Sequence, residues 1–257
     1  MFRSHRSSTR RAAVVSLLAL AITACGDDST ETSATTTTTA PVIDPGDGGD
    51  YAPQLDPADF VDVIDNPYLP LAVGSRWVYE GEEDGEVERI EVEVLPDRKE
   101  ILGISATVVR DTVTVDDVLL EDTLDWFAQD REGNVWYLGE HAENYEDGEL
   151  VDTDGSWEAG VDGAFPGIVM LAHPAVGDAY RQEFYEGEAE DLGEVLRIGG
   201  EQVVPAGRYT DVLVTRDWNP LEPEVVEEKT YAPGVGVIYE EHVAGDSGAA
   251  ALISFTP

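Results

Sequence analysis

Leu71-Ala-Val-Gly-Ser-Arg-Trp-Val-Tyr-Glu-Gly81 decides the fold. Trp77 and Tyr79 alternate with Arg76, Val78 and Glu80, the period-two pattern of a strand with one buried face. A weaker copy, Pro174-Ala-Val-Gly-Asp-Ala-Tyr-Arg-Gln-Glu-Phe184, places Gly177 103 residues after Gly74. Two further blocks repeat. Val108-Val-Arg-Asp111 returns as Val214-Thr-Arg-Asp217, and the stretch from Gly133 to His141 returns as Gly234 to His242. The offsets, 106 at Arg110 and 101 at Gly133, stay close to the first. The pattern predicts two related β units, neither of which buries enough surface alone, sharing one apolar interior.

Working outward from that stretch, turn signals recur at the spacing of an antiparallel meander. Asp84-Gly85, Asp116-Asp117 and Asp130 to Asn134 separate apolar, β-branched runs: Val87 to Val94, Ile104 to Val115, Val118 to Ala128 and Val135 to Leu138. In the second unit, Val203 to Tyr209 reads as strand, turn and strand. Val225 to Tyr231 and Val235 to His242 read as a hairpin around Ala232-Pro-Gly234, and Ala249 to Phe255 as a closing strand. Asp56-Pro57 has the form of a helix start, with Asp as N-cap and Pro at the first position. Phe60, Val61 and Ile64 would be the apolar side of that short N-terminal helix. The expected fold is mainly β: curved antiparallel sheets, a half-barrel, clam or barrel-like, made of two related halves.

The expected organisation is a lipoprotein signal peptide over residues 1–24, a disordered acidic and Thr-rich tether over 25–50, and one β domain over 51–257. Its first half covers about 71–141, an insert about 142–173, the second half about 174–242, and the closing strand about 249–255. The leader combines basic residues, an uncharged apolar run from Ala12 to Ile22 and small residues. That run is too short to span a bilayer. Ile22-Thr-Ala-Cys25 resembles a lipobox, which makes Cys25 the expected lipidation site and the membrane the expected partner, on its extracytoplasmic face. Arg10-Arg11 leaves both the general secretory and the twin-arginine routes open. The tether is too poor in apolar residues to offset ordering entropy.

Acids outnumber bases 54 to 15, and the formal net charge is −39. Such a field repels phosphate backbones, so nucleic acid is not an expected partner. Cys25 is the single cysteine, which excludes an intramolecular disulfide and a thiolate metal site in the β domain.

Candidate chemistry is sparse. The repeat aligns Glu140-His141 with Glu241-His242, so His141 and His242 are metal candidates if the halves converge. Adjacent residues on a strand point to opposite faces, so each pair would supply one ligand. Asp152-x-Asp154-Gly155 begins like a calcium loop but lacks the later ligands, and Asp-Gly turn chemistry explains it as well. Calcium is therefore the only cofactor candidate, against none. No G-x-S-x-G element is present, and Ser156 with His173 is the nearest approach to a nucleophile and base. Trp136, Trp157, Met170, Tyr180 and Phe184 are candidates to line a groove for an apolar small molecule, or else to fill a core. The expected role is non-catalytic binding or envelope scaffolding. The alternative is an extracellular hydrolase or a calcium- or metal-binding protein. Oligomeric state is open.

Asn66-Pro-Tyr-x-Pro-Leu71 followed by Gly74-x-x-Trp77-x-Tyr79 resembles an uncharacterised family of secreted bacterial proteins and lipoproteins, mostly actinobacterial. Asp125-Trp126, Gly133-Asn-Val-Trp-Tyr137, Trp157-Glu-Ala-Gly160, Pro166-Gly167, Tyr180-Arg-Gln-Glu183 and Tyr231-Ala-Pro-Gly-Val-Gly236 are similar to its further marks. That resemblance implies no site residues. More distantly, Val204-Pro-Ala-Gly-Arg-Tyr-x-Asp-Val212 resembles a strand-turn-strand of β-clam and half-barrel envelope proteins, including LolA-like and LppX-like lipid carriers. This second resemblance implies curved antiparallel sheet.

Overall fold

The computed structural model describes residues 44–46, 50–83, 86–245 and 247–257. The leader, Cys25, most of the tether and the Asp84-Gly85 turn lie outside the described residues.

Alternating apolar residues make thirteen strands of one antiparallel sheet: β1 (Arg76–Glu83), β2 (Glu86–Ile101), β3 (Ile104–Val115), β4 (Val118–Asp130), β5 (Val135–Glu146), β6 (Phe165–Met170), β7 (Ala179–Arg181), β8 (Glu183–Phe184), β9 (Leu192–Ile198), β10 (Leu213–Trp218), β11 (Val226–Ala232), β12 (Gly236–Ala244) and β13 (Gly248–Thr256). The order is β7-β9-β10-β11-β12-β13-β1-β2-β3-β4-β5-β6-β8. Only Gln182 separates β7 from β8, so one extended segment pairs with β9 on one side and with β6 on the other. The sheet thereby returns on itself and is barrel-like. Three smaller strands hang from it: Phe60–Val61 on β4, and Glu149–Asp152 and Trp157–Glu158 on β5.

The two meanders are laid out alike. Gly74 N donates to Val94 O, Ser75 N to Ala72 O, and Val94 N to Ser75 O. Gly177 N donates to Val195 O, Asp178 N to Ala175 O, and Val195 N to Asp178 O. Both glycines have φ of +91°, a left-handed conformation that explains why glycine stands there. Rungs across the sheet also correspond. Val94, Val109, Asp125 and Glu140 are successive partners across β2 to β5, as Val195, Thr215, Lys229 and Glu240 are across β9 to β12.

Two expectations change, and the apolar run of the insert takes a place in the sheet. Pro57–Asp59 forms one 3-10 turn, capped by Asp56 accepting from Ala58 N at 2.9 Å, instead of a short N-terminal helix. The N-cap chemistry is as read, but Phe60 and Val61 leave the turn to pair with Asp130 and Gln129 of β4, and sheet pairing overrides the local start signal. The apolar run in the 142–173 insert is β6, set between β5 and the 179–184 segment as β13 is set between β12 and β1. Finally, register makes Glu240 the counterpart of Glu140, and His242 the counterpart of Ala142. The register irregularity is common to both meanders, between Asp125 and Phe127 and between Thr230 and Tyr231, so the alignment made at Gly133 and Gly234 is one residue off along these strands, and one residue exchanges the faces of a strand. His141 is thus half exposed on one face, while the His242 side chain is buried.

Trp77 anchors the junction between the first and last strands. Its ring stacks on Phe255 at 5.2 Å, and its indole Nε1 donates to Val235 O at 2.7 Å. Close backbone contact at the two junctions between meanders requires glycine. A Cβ on Gly81 would lie 2.3 Å from Ala249 O, and one on Gly167 would lie 2.3 Å from Gln182 O.

Candidate functional site

Strands place charged side chains where an apolar interior would be expected. Lys229 of β11 is buried, with Nζ 3.2 Å from Asp217 Oδ2, 3.3 Å from Glu227 Oε2 and 3.9 Å from Glu240 Oε2. Thr215 Oγ1 donates to Asp217 Oδ1 at 2.8 Å. Alternate rungs, which share one face, bring these groups together: Thr215 pairs with Lys229 and Asp217 with Glu227 on β10 and β11, and Lys229 pairs with Glu240 of β12. Burial alone would push the ammonium pKa down, but Glu240, Asp217 and Glu227 reverse this and hold it well above the usual lysine range. Burial drives the Glu240 carboxyl well above its ordinary range against the pull of Lys229. His242 Nε2 lies 3.5 Å from Glu227 Oε1 at the edge of this cluster.

The first meander carries a matching cluster without a lysine. Asp125 stands at the position of Lys229, and Tyr137 Oη donates to Asp125 Oδ1 at 2.5 Å. Tyr137 stacks on Phe127 at 4.9 Å and meets Trp157 edge-on at 5.3 Å. Burial raises its phenol well above the usual tyrosine range, and Asp125, Glu140 and Glu183 add to that. Asp111, the counterpart of Asp217, is pushed up to about 8, first by burial and then by Asp125 and Glu121. Such groups can store protons or balance positive charge. Among the described residues, no group of three or more His, Cys, Asp or Glu side chains is arranged to hold a metal ion.

The residues expected from sequence fall in several places. Trp136, Trp157, Met170, Tyr180 and Phe184 are all buried. Trp136 Nε1 donates to Asp130 Oδ2 at 2.9 Å. Tyr180 faces the Lys229 cluster, whereas Phe184 lies under Arg181 and Tyr51. Asp152 Oδ1 accepts from Asn144 Nδ2 at 2.7 Å and from Asp154 N at 3.2 Å, a turn arrangement. Ser156 Oγ accepts from Ala142 N at 2.9 Å and donates to Ala142 O at 3.3 Å. His141 Nε2 lies 3.7 Å from Glu143 Oε1.

Sequence reading missed Lys229, Asp217, Asp111, Asp125 and Arg181 as site residues. One signal was present, the Arg-Asp pair that recurs in both repeat blocks.

The sequence matches no protein-family model and no curated protein. Among solved structures, the chain is similar to a Bacteroides fragilis protein named as exported and as having a YmcC-like fold. The TM-score is 0.45 at 13% identity, over 74% of this chain and 99% of that one. It is also similar to a Parabacteroides distasonis protein named as a lipoprotein, with TM-score 0.35 and 11% identity over the same shares. Both scores fall below the level at which two folds count as the same. The family likeness drawn from Asn66 to Gly236 rests on those sequence marks alone.

Proposed function

We propose that this chain is an exported lipoprotein, held to the extracytoplasmic face of a membrane through Cys25, with a non-catalytic β domain that binds or scaffolds. The carrying observation is the way the interior groups are used. Lys229 is surrounded by three carboxyls, and Tyr137 is bonded to Asp125, so these groups are committed to one another. A general base or nucleophile needs free access to substrate. Buried ion clusters are weak sources of stability, and fixing one arrangement of strands is their best-attested use. That suits a rigid module. The Ser156 hydroxyl, bonded at both ends to Ala142, fits the same reading.

The anchoring half of the proposal rests on the leader and Ile22-Thr-Ala-Cys25. Expressed in a host that processes lipoproteins, the full chain is expected to partition into detergent and to carry a diacylglyceryl mass on Cys25. Cys25→Ala is expected to move it to the aqueous phase. An unmodified wild-type chain in the aqueous phase would overturn the anchor.

A further inference from the structure

Two basic side chains are deeply buried among the described residues, and they are treated differently. Lys229 has three carboxyls around it. Arg181, at the end of β7, is fully buried, yet no carboxylate oxygen of the described residues comes within ion-pair distance. Its Nη2 donates to Gly46 O at 2.9 Å. Its Nε and Nη1 are buried without an acceptor. In a chain with 54 acids and 15 bases, a guanidinium enclosed without an anion is unexpected, and an unpaired charge is among the costliest groups to bury.

The surroundings define what would fit. The guanidinium carbon lies 4.6 Å from the Phe184 ring centroid and 5.7 Å from that of Tyr51. Tyr51 in turn meets Phe184 at 5.9 Å and Phe165 at 6.5 Å, both edge-on. Rings over the faces of a guanidinium offset part of its charge but leave its in-plane N–H donors unmet. A planar carboxylate accepts from such donors, and an apolar body behind it would lie against the three rings. The net charge of −39 opposes multiply charged anions.

We propose that Arg181 is a binding site for a carboxylate carried on an apolar body, and that residues 44–46 and 50–53 cover it. Gly46 O occupies one donor where a carboxylate oxygen would sit. Tyr51 Oη donates to Pro166 O at 2.8 Å and holds the covering segment across β6 and β8. The site deepens the binding half of the function proposed above and is independent of Cys25.

The test uses octanoate and inorganic phosphate as probes, with the arginine Nε–H resonances of the full chain read by nitrogen-15 NMR. Arg181 is assigned by the resonance that vanishes in Arg181→Lys. Should that variant not fold, Phe184→Leu removes one ring, and the resonance it moves is assigned instead. Octanoate is expected to shift the Arg181 resonance saturably, and phosphate is not. Tyr51→Phe keeps the ring but removes the bond to Pro166 O that holds the cover, and is expected to tighten octanoate binding about threefold, since a masked site loses apparent affinity in proportion to its closed fraction. No saturable shift in wild type or Tyr51→Phe overturns the site. An equal response to phosphate overturns the carboxylate assignment. Lipidation of Cys25 is read separately by mass, so the two proposals fail separately.

Discussion

Lys229 Nζ and Asp217 Oδ2 lie 3.2 Å apart, two buried charges on neighbouring strands and two residue pairs out of step. Removing the cation leaves Asp217 and Glu227 enclosed with no counter-charge. Lys229→Met is expected to cost about 3–5 kcal/mol, read as a lower urea midpoint. Adding Asp217→Asn to that variant should recover part of the loss, because contacting residues do not add independently. A single-variant loss under about 1 kcal/mol would show the cluster is not needed. The folded-state pKa of Lys229 is raised, so its contribution is full below the unfolded lysine value and is lost only as pH climbs through the higher folded one.

Asp111 gives the opposite pH dependence from a salt-bridged acid. Its folded value of about 8 lies above its ordinary 3.8, so the folded chain holds a proton that the unfolded chain releases between them. Its contribution is greatest below the unfolded value and declines as pH rises towards 8, with a limiting slope of about 1.4 kcal/mol per pH unit. Urea unfolding of wild type and Asp111→Asn at pH 5, 6 and 7 should show a flatter dependence in the variant. Identical slopes would remove Asp111 as the cause.

Tyr137 and Asp125 test the first cluster. Tyr137→Phe keeps the ring stack on Phe127 but removes the donor to a buried carboxyl. The expected loss is about 1–3 kcal/mol. Thermal unfolding unchanged from wild type would mean that Asp125 is satisfied without the phenol.

Gly81 and Gly167 guard the two junctions between the meanders. Alanine at either position forces a Cβ against backbone of the facing strand, with an expected cost of about 1–3 kcal/mol. The effects should be local. Hydrogen exchange is expected to rise in residues 165–184 for Gly167→Ala, and in 76–83 and 248–256 for Gly81→Ala. Uniform acceleration over the whole domain would contradict a ring with two separable junctions.

Much of this architecture could be read from residues. Asp116-Asp117 marks its turn because both residues adopt positive φ, which Asp tolerates better than most. The hairpin around Pro233-Gly234 and the closing strand were equally plain. β9 was not, because Gly193 and the acidic run from Glu186 to Asp191 mask its apolar face. The charged interior was harder still. In a chain this acidic, period two says that alternate residues share a face but not which face is enclosed. Asp111 and Asp217 look like surface acids until the sheet returns on itself. Arg181 carries no local sign of burial, since its cover comes from a segment far away in sequence.

Pairing β13 with β1 has a kinetic consequence. These strands lie at opposite ends of the domain, and every other strand of the ring intervenes in sequence. Topologies with such distant contacts fold slowly. The final junction cannot form until Thr256 has left the ribosome or the export channel. Until then, β1 and β12 present unpaired edges, the kind of surface on which chains associate. A late block in synthesis would therefore produce a sticky, almost complete domain, whereas the finished ring offers neighbouring chains no such foothold at that junction.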